Sequence, residues 1–111
     1  MRRLLLTFLL LAGCTQGHDA EFERDRWQNA DLGTRERAGM VDSLLREHPL
    51  KGMDRPAVIA LLGQPTPTDK WEGTEMIYVL GPDAGMGIDH EWLLIELDQQ
   101  DRVSEYAVVS D

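Results

Sequence analysis

The run "MDRPAVIALLGQP", Met53 to Pro65, leaves the chain few choices. Asp54 can accept hydrogen bonds from the free amides of a following helical turn, and Pro56 fits that turn because its missing N–H has no helical partner. Met53 and Val58 stand at the positions of a hydrophobic staple, and Gly63 suits the left-handed position just past a helix end. The punctuation predicts a helix of about eight residues with Val58, Ile59, Leu61 and Leu62 available for burial. Pro65 and Pro67 then force an extended link.

Three runs with strand character follow: "TEMIYVL" (74–80), "EWLLIEL" (91–97) and "VSEYAVVS" (103–110). The link "DQQD" (98–101) is short enough for a hairpin, and "GPDAGMGIDH" (81–90) is a glycine-rich loop with the composition of a mobile segment. Upstream, Met40, Val41, Leu44 and Leu45 recur at helical spacing from Thr34 until Pro49. The order helix, helix, strand, strand, strand predicts an α+β domain over 31–111, with two helices packed on one face of a three-stranded antiparallel sheet.

Alternation along a strand divides its side chains between two faces. Leu93, Ile95 and Leu97 share one, Trp92 and Leu94 the other, while Val103, Ala107 and Val109 oppose Tyr106 and Val108. With helices on one side, Trp92, Leu94, Tyr106 and Val108 would leave an apolar surface needing a cover. The chain's own Phe22 and Trp27, a packed loop, a partner protein or a second copy could supply it.

The chain opens with Arg2 and Arg3, an apolar run from Leu4 to Leu11, then Ala12 and Gly13, the layout of a secretory signal. At roughly 20 residues per membrane-spanning helix, the run is too short to remain as a span. Its small residues end on Cys14, the only cysteine, so no disulfide competes for the thiol. "LAGC" resembles the lipobox of bacterial lipoproteins, in which residues 1–13 would be cleaved and Cys14 would carry a diacylglycerol. Each buried methylene of such a chain contributes about 0.8 kcal/mol, and stable anchoring takes more than one chain. Thr15, where an aspartate would favour inner-membrane retention in many Gram-negative bacteria, implies the outer membrane by that resemblance. Residues 14–30 are mostly polar and read as the lipidated cysteine and a tether, onto which Trp27 could add a docking contact.

Without residues 1–13, 98 of the 111 residues remain, enough for one small domain. Losing Arg2 and Arg3 takes the formal charge from −9 to −11, 9 Lys and Arg against 20 Asp and Glu. Nucleic acid is a poor partner for such a chain, because phosphate binding relies on clustered cations. Direct docking to anionic lipid headgroups is disfavoured for the same reason.

The block "LKGMDRPAVIALLGQPT" followed by aromatic-rich strands, in a small lipoprotein, resembles the BamE family with its SmpA/OmlA relatives. The family pattern "GM(T/S)xxxVxxxLGxP" is met by Gly52, Met53, Val58, Leu62, Gly63 and Pro65, with Asp54 replacing the usual Thr or Ser. The resemblance spans Thr34 to Val109, and its specific part is about a dozen residues that punctuate a helix. It implies two helices and a three-stranded sheet behind a lipidated cysteine, facing the periplasm. It also implies a non-enzymatic accessory role in outer-membrane β-barrel assembly, through contact with another envelope protein. The related β-lactamase-inhibitor fold binds enzymes instead.

Reactive constellations are sparse. "HEWLL" at His90 lacks the second imidazole of H-E-x-x-H, since position 94 is leucine. His18, His48 and His90 come from three separate regions, so no metal site and no cofactor is expected beyond the lipid on Cys14. Asp89 and Glu91 could do acid and base work only with a raised pKa in a cleft. Their spacing is ordinary in so acidic a chain. "GPDAGMG" lacks the Lys-Ser or Lys-Thr of a phosphate loop. No catalytic residue and no small-molecule substrate is therefore expected. Partner contact is expected at Trp71, Tyr78, Met86 and Trp92, because aromatics and Met are enriched where surfaces desolvate. The alternative is an inhibitor or immunity-type lipoprotein whose acidic surface blocks a basic envelope-active enzyme, with strongly salt-sensitive binding.

Overall fold

A computed structural model describes residues 20–111. The leader, Cys14 and His18 lie outside the described residues. In chain order the elements are α1 (Arg24–Gln28), α2 (Glu36–Glu47), α3 (Arg55–Leu62), β1 (Met76–Pro82), β2 (His90–Leu97) and β3 (Val103–Ser110). The strands form one antiparallel sheet in the order β1-β2-β3, giving an α+β fold.

Helix α3 is built as its punctuation dictates. Asp54 Oδ1 accepts the Ala57 N–H at 3.0 Å, Pro56 sits in the first turn, and Gly63 ends the helix with φ +82°. Val58 and Leu62 are fully buried, and Met53 packs against the same core. In α2, Met40, Val41 and Leu44 face inward while Leu45 is partly buried.

Two helices were expected and three are present. The segment expected to be a tether joins the domain from Ala20, whose N–H donates to Gly39 O at 3.0 Å. Phe22 N–H donates to Ser43 Oγ at 2.9 Å, and the Phe22 and Trp27 rings pack 5.8 Å apart in the helix-side core. Gln28 Nε2 donates to Ala60 O and Leu61 O, both at 3.2 Å, and so satisfies carbonyls left over at the end of α3. Helix α1 is too short, at five residues, to display an apolar period. Tertiary packing holds it in place of propensity.

Arg37 binds these parts together. Its guanidinium is buried, donating from Nε to Trp27 O at 2.9 Å and from Nη1 to Val79 O at 3.2 Å. It also lies 5.0 Å from the Trp27 ring centroid, within cation–π range. One side chain of α2 thereby fixes the end of α1 to the outer edge of β1.

The helix-side core takes Met76, Tyr78 and Leu80 from β1, Leu93 and Ile95 from β2, and Val103 from β3. The opposite face carries a smaller cluster of Ile77, Val79 and Trp92, with Trp71, Leu94 and Val109 against it. One expectation is corrected here. Strict alternation put Tyr106 and Val108 with Trp92 and Leu94, but Tyr106 pairs with Ile95 and Val108 with Leu93, on the helix side. A bulge opposite Glu96 and Leu97 inserts one extra residue between Val103 and Glu105 and reverses the parity of β3 beyond it. The helices do not cover this outer strand, so Tyr106 stays 37 % and Val108 43 % exposed. Phe22 and Trp27, offered as covers for the other face, serve the helix side instead.

The entry to α2 passes close over β1 at Gly81. A Cβ there would collide with Thr34 O, and φ is +123°, a region that side chains resist. Gly81→Ala is expected to destabilise the domain by roughly 2 kcal/mol, whereas Gly85→Ala, whose added carbon meets only Asp83 Oδ1 at 3.9 Å, should be near neutral in urea unfolding. Trp27→Ala should cost about 3–5 kcal/mol in the same assay. A loss near zero would show that residues 20–30 are a tether after all.

Candidate functional site

Two apolar features lie outside the helix-side core: the Trp71–Trp92 pair on the sheet's far face and the tip of the β1–β2 hairpin. Trp71 follows the proline link with φ +58° and meets Trp92 edge-on, ring centroids 6.5 Å apart. Trp92 lies beneath at 7 % exposure, and Trp71 is half-buried above it. A loop of the chain itself thus covers part of the apolar face, one of the covers foreseen from sequence.

An ionic latch holds this loop. Lys70 Nζ meets Asp111 Oδ2 at 3.0 Å, while Asp111 Oδ1 accepts the His90 N–H at 2.8 Å. The bond from the His90 amide, reinforced by Lys70, lowers the Asp111 carboxyl to a pKa of about 2. A carboxyl whose pKa falls on folding adds stability that is complete above its unfolded pKa and is lost as pH drops through the folded one.

The hairpin tip is the most exposed apolar feature among the described residues. Met86 is 86 % and Ile88 73 % exposed. The turn beneath them is organised by Asp83, whose N–H donates to Asp89 O at 2.9 Å and whose Oδ1 accepts the Gly87 N–H at 2.9 Å. Gly87 has φ +72°, which its lack of a side chain permits. Bending the chain this way displays two large apolar side chains on a rim of Asp83 and Asp89.

Of the four residues expected at a partner surface, only Trp71 and Trp92 are brought together. Met86 projects into solvent, Trp71 is half-buried and Trp92 is buried under it. Tyr78 lies on the helix side, fully buried, with its hydroxyl donating to Gly63 O at 2.8 Å. Burial pushes its ionisation well above the usual phenol range. Ile88 was not singled out from sequence. The available signal was a β-branched apolar residue between glycine and aspartate, where a turn supplies nothing to bury it.

Among the described residues no group of three or more His, Cys, Asp or Glu side chains is placed to hold a metal ion. His48 packs edge-on against Phe22 at 5.2 Å and His90 lies near Trp92 at 6.4 Å. Glu91 pairs with Arg35 Nη1 at 3.4 Å, so the Asp89 and Glu91 carboxylates do not act as a couple. No helix among the described residues is long and apolar enough to cross a membrane. No family model matches the chain, and no curated protein or solved structure shows significant similarity to it.

The latch is testable by pH. Wild-type protein should lose Trp71–Trp92 packing, followed by tryptophan fluorescence, as pH falls from about 4 towards 2. Asp111→Asn should show that loosened state already at neutral pH and lack this component of the acid transition.

Proposed function

We propose that this chain is a lipid-anchored protein of the bacterial outer membrane, facing the periplasm, and that its domain is a non-enzymatic binding module of the BamE type. Its work in this reading is to hold another envelope protein, as an accessory in β-barrel assembly or envelope integrity. The observation that carries the reading is the order at the N-terminus: two arginines, an apolar run, Ala12-Gly13, and the only cysteine. The α+β architecture behind it accords with the family's expected fold, although a fold alone does not specify a function.

Folding from Ala20 onward adds a distance limit. Six residue steps separate Cys14 from Ala20, which at full extension reach about 20 Å. An acylated Cys14 would hold the domain within that range of the bilayer surface. The net negative charge argues against the domain itself lying on anionic headgroups. Partner contact is then the natural use of the exposed tip at Met86 and Ile88.

A second reading, an inhibitor or immunity-type lipoprotein against a basic envelope enzyme, is favoured by the excess of 20 Asp and Glu over 11 Lys and Arg. It predicts binding that weakens steeply with salt, whereas contact through Met86 and Ile88 would persist.

Metabolic lipid labelling should mark the wild-type chain and leave Cys14→Ala unlabelled; equal labelling would reject the anchor. Photo-crosslinking from position 86 in mildly solubilised membranes should trap barrel-assembly subunits. Normal barrel-protein levels in a deletion strain, with no such crosslink, would reject that role. Met86→Asp should abolish the crosslinked complex while shifting stability by less than about 0.5 kcal/mol, as expected of an exposed position.

A further inference from the structure

The two edges of the sheet are treated differently. At the β1 edge, Ile77 O accepts the Thr66 N–H at 2.7 Å, Val79 N–H donates to Thr66 Oγ1 at 3.0 Å, and Val79 O accepts from Arg37. Gly81 beyond them is covered by Thr34. Of the outward backbone groups of Ile77 and Val79, three of four are thereby paired.

The β3 edge is closed only at its start, where Val103 exchanges bonds with Gly52 N at 2.9 Å and Met53 O at 2.8 Å. Asp111 N–H donates to His90 O at 3.1 Å, one residue beyond the Glu91–Ser110 pair in the same register. Antiparallel pairs alternate between bonded and non-bonded, so Val109, Ala107 and Glu105 turn their backbone groups towards β2. Those of Tyr106, Val108 and Ser110 point outward. The same three residues direct their side chains to the exposed helix-side margin. The stretch carries no lysine or proline, and no element among the described residues covers it.

Charge selects what can pair here. Strands β2 and β3 contain Glu91, Glu96 and Glu105 and no Lys or Arg. Glu96 and Glu105 stand directly opposite each other, both exposed, with no ion-pair partner among the described residues. Like charges so placed destabilise a sheet. With Leu94, Tyr106 and Ala107 they line a shallow depression beside the open edge. A strand hydrogen-bonded to Tyr106 and Val108 would set its neighbouring side chains against Glu105 and Ala107 on this face. A Lys or Arg there would answer both carboxylates, and apolar residues on its other face would cover Tyr106 and Val108.

We propose that the β3 edge from Tyr106 to Ser110 receives an extended, basic segment of another protein by strand addition, with Lys or Arg alternating with apolar residues. This surface is separate from the hairpin tip, and the inference does not depend on the lipid anchor. A second copy is a poorer occupant, because its own β3 brings a further Glu105 and no cation to a chain of net charge −9. Strand addition supplies affinity through the main chain, and the alternating side chains supply selectivity.

The test uses the full 111-residue chain in detergent with fluorescent nine-residue peptides. One alternates Val and Lys, a second alternates Val and Glu, and a third keeps the lysines but carries N-methylated amides that block strand pairing. The Val/Lys peptide should bind, with backbone amide shifts at Tyr106 and Val108. Both control peptides should bind at least about tenfold more weakly, and the double variant Glu96→Lys with Glu105→Lys should reverse the preference towards the Val/Glu peptide. Val108→Pro, which removes an outward N–H, should also weaken Val/Lys binding; if that variant misfolds, the charge reversal on exposed carboxylates still decides. Equal binding of all three peptides would overturn the proposal. So would an unchanged preference in the charge-reversed variant, or a dimer of the chain paired through β3.

Discussion

The buried guanidinium of Arg37 is the contact on which the arrangement of this domain rests. A cation removed from water is costly unless its donors are satisfied. Among the described residues no carboxylate pairs with it. Two main-chain carbonyls, Trp27 O and Val79 O, take its hydrogen bonds, and the Trp27 ring lies within cation–π range. Burial lowers its pKa, opposed by the nearby Tyr78 hydroxyl, but an arginine starts so high that it remains charged. The charge is therefore held by backbone, and the backbone that holds it belongs to α1 and β1. Losing Arg37 would leave Val79 O unpaired at a sheet edge and remove the tie between Trp27 and α2.

That same contact creates the asymmetry of the sheet. Arg37, Thr66 and Thr34 together cover the β1 edge at Ile77 O, at both backbone groups of Val79 and at Gly81. The Gly52–Met53 turn closes only the first residue of β3. The faces are asymmetric too. One is filled by three helices, while the other is sheltered by Trp71 under the Lys70–Asp111 latch. A small sheet built this way concentrates its unpaired surface in two places, the β3 edge and the hairpin tip.

How much of this could be read from the sequence depends on where each signal lies. Helix α3 is legible because its cap, proline and terminal glycine are local and act within one turn. The strands are legible from alternation, and the Trp71 cover belongs to the packed-loop class that alternation anticipated. Three things were hidden, all of them long-range. Helix α1 owes its existence to Trp27 and Phe22 entering a core made by other elements. The parity of Tyr106 and Val108 turns on a bulge that alternation has no means to register. The obligation on Gly81 comes from Thr34, 47 residues away in sequence. At the site, Met86 was visible as an apolar residue in a polar loop, whereas Tyr78 carried the same aromatic signal and proved to be core. Residue type alone does not separate an aromatic facing solvent from one facing a helix.

The sheet has one edge largely covered and one open, with acidic side chains beside the open one. Amide hydrogen exchange, resolved by residue on the wild-type chain, tests this most directly. The amides of Val79 and Leu93 should be protected to the level of global unfolding, while those of Tyr106 and Val108 should exchange as solvent-exposed groups. Strong protection at Tyr106 and Val108 in the isolated protein, or rapid exchange at Val79, would contradict it.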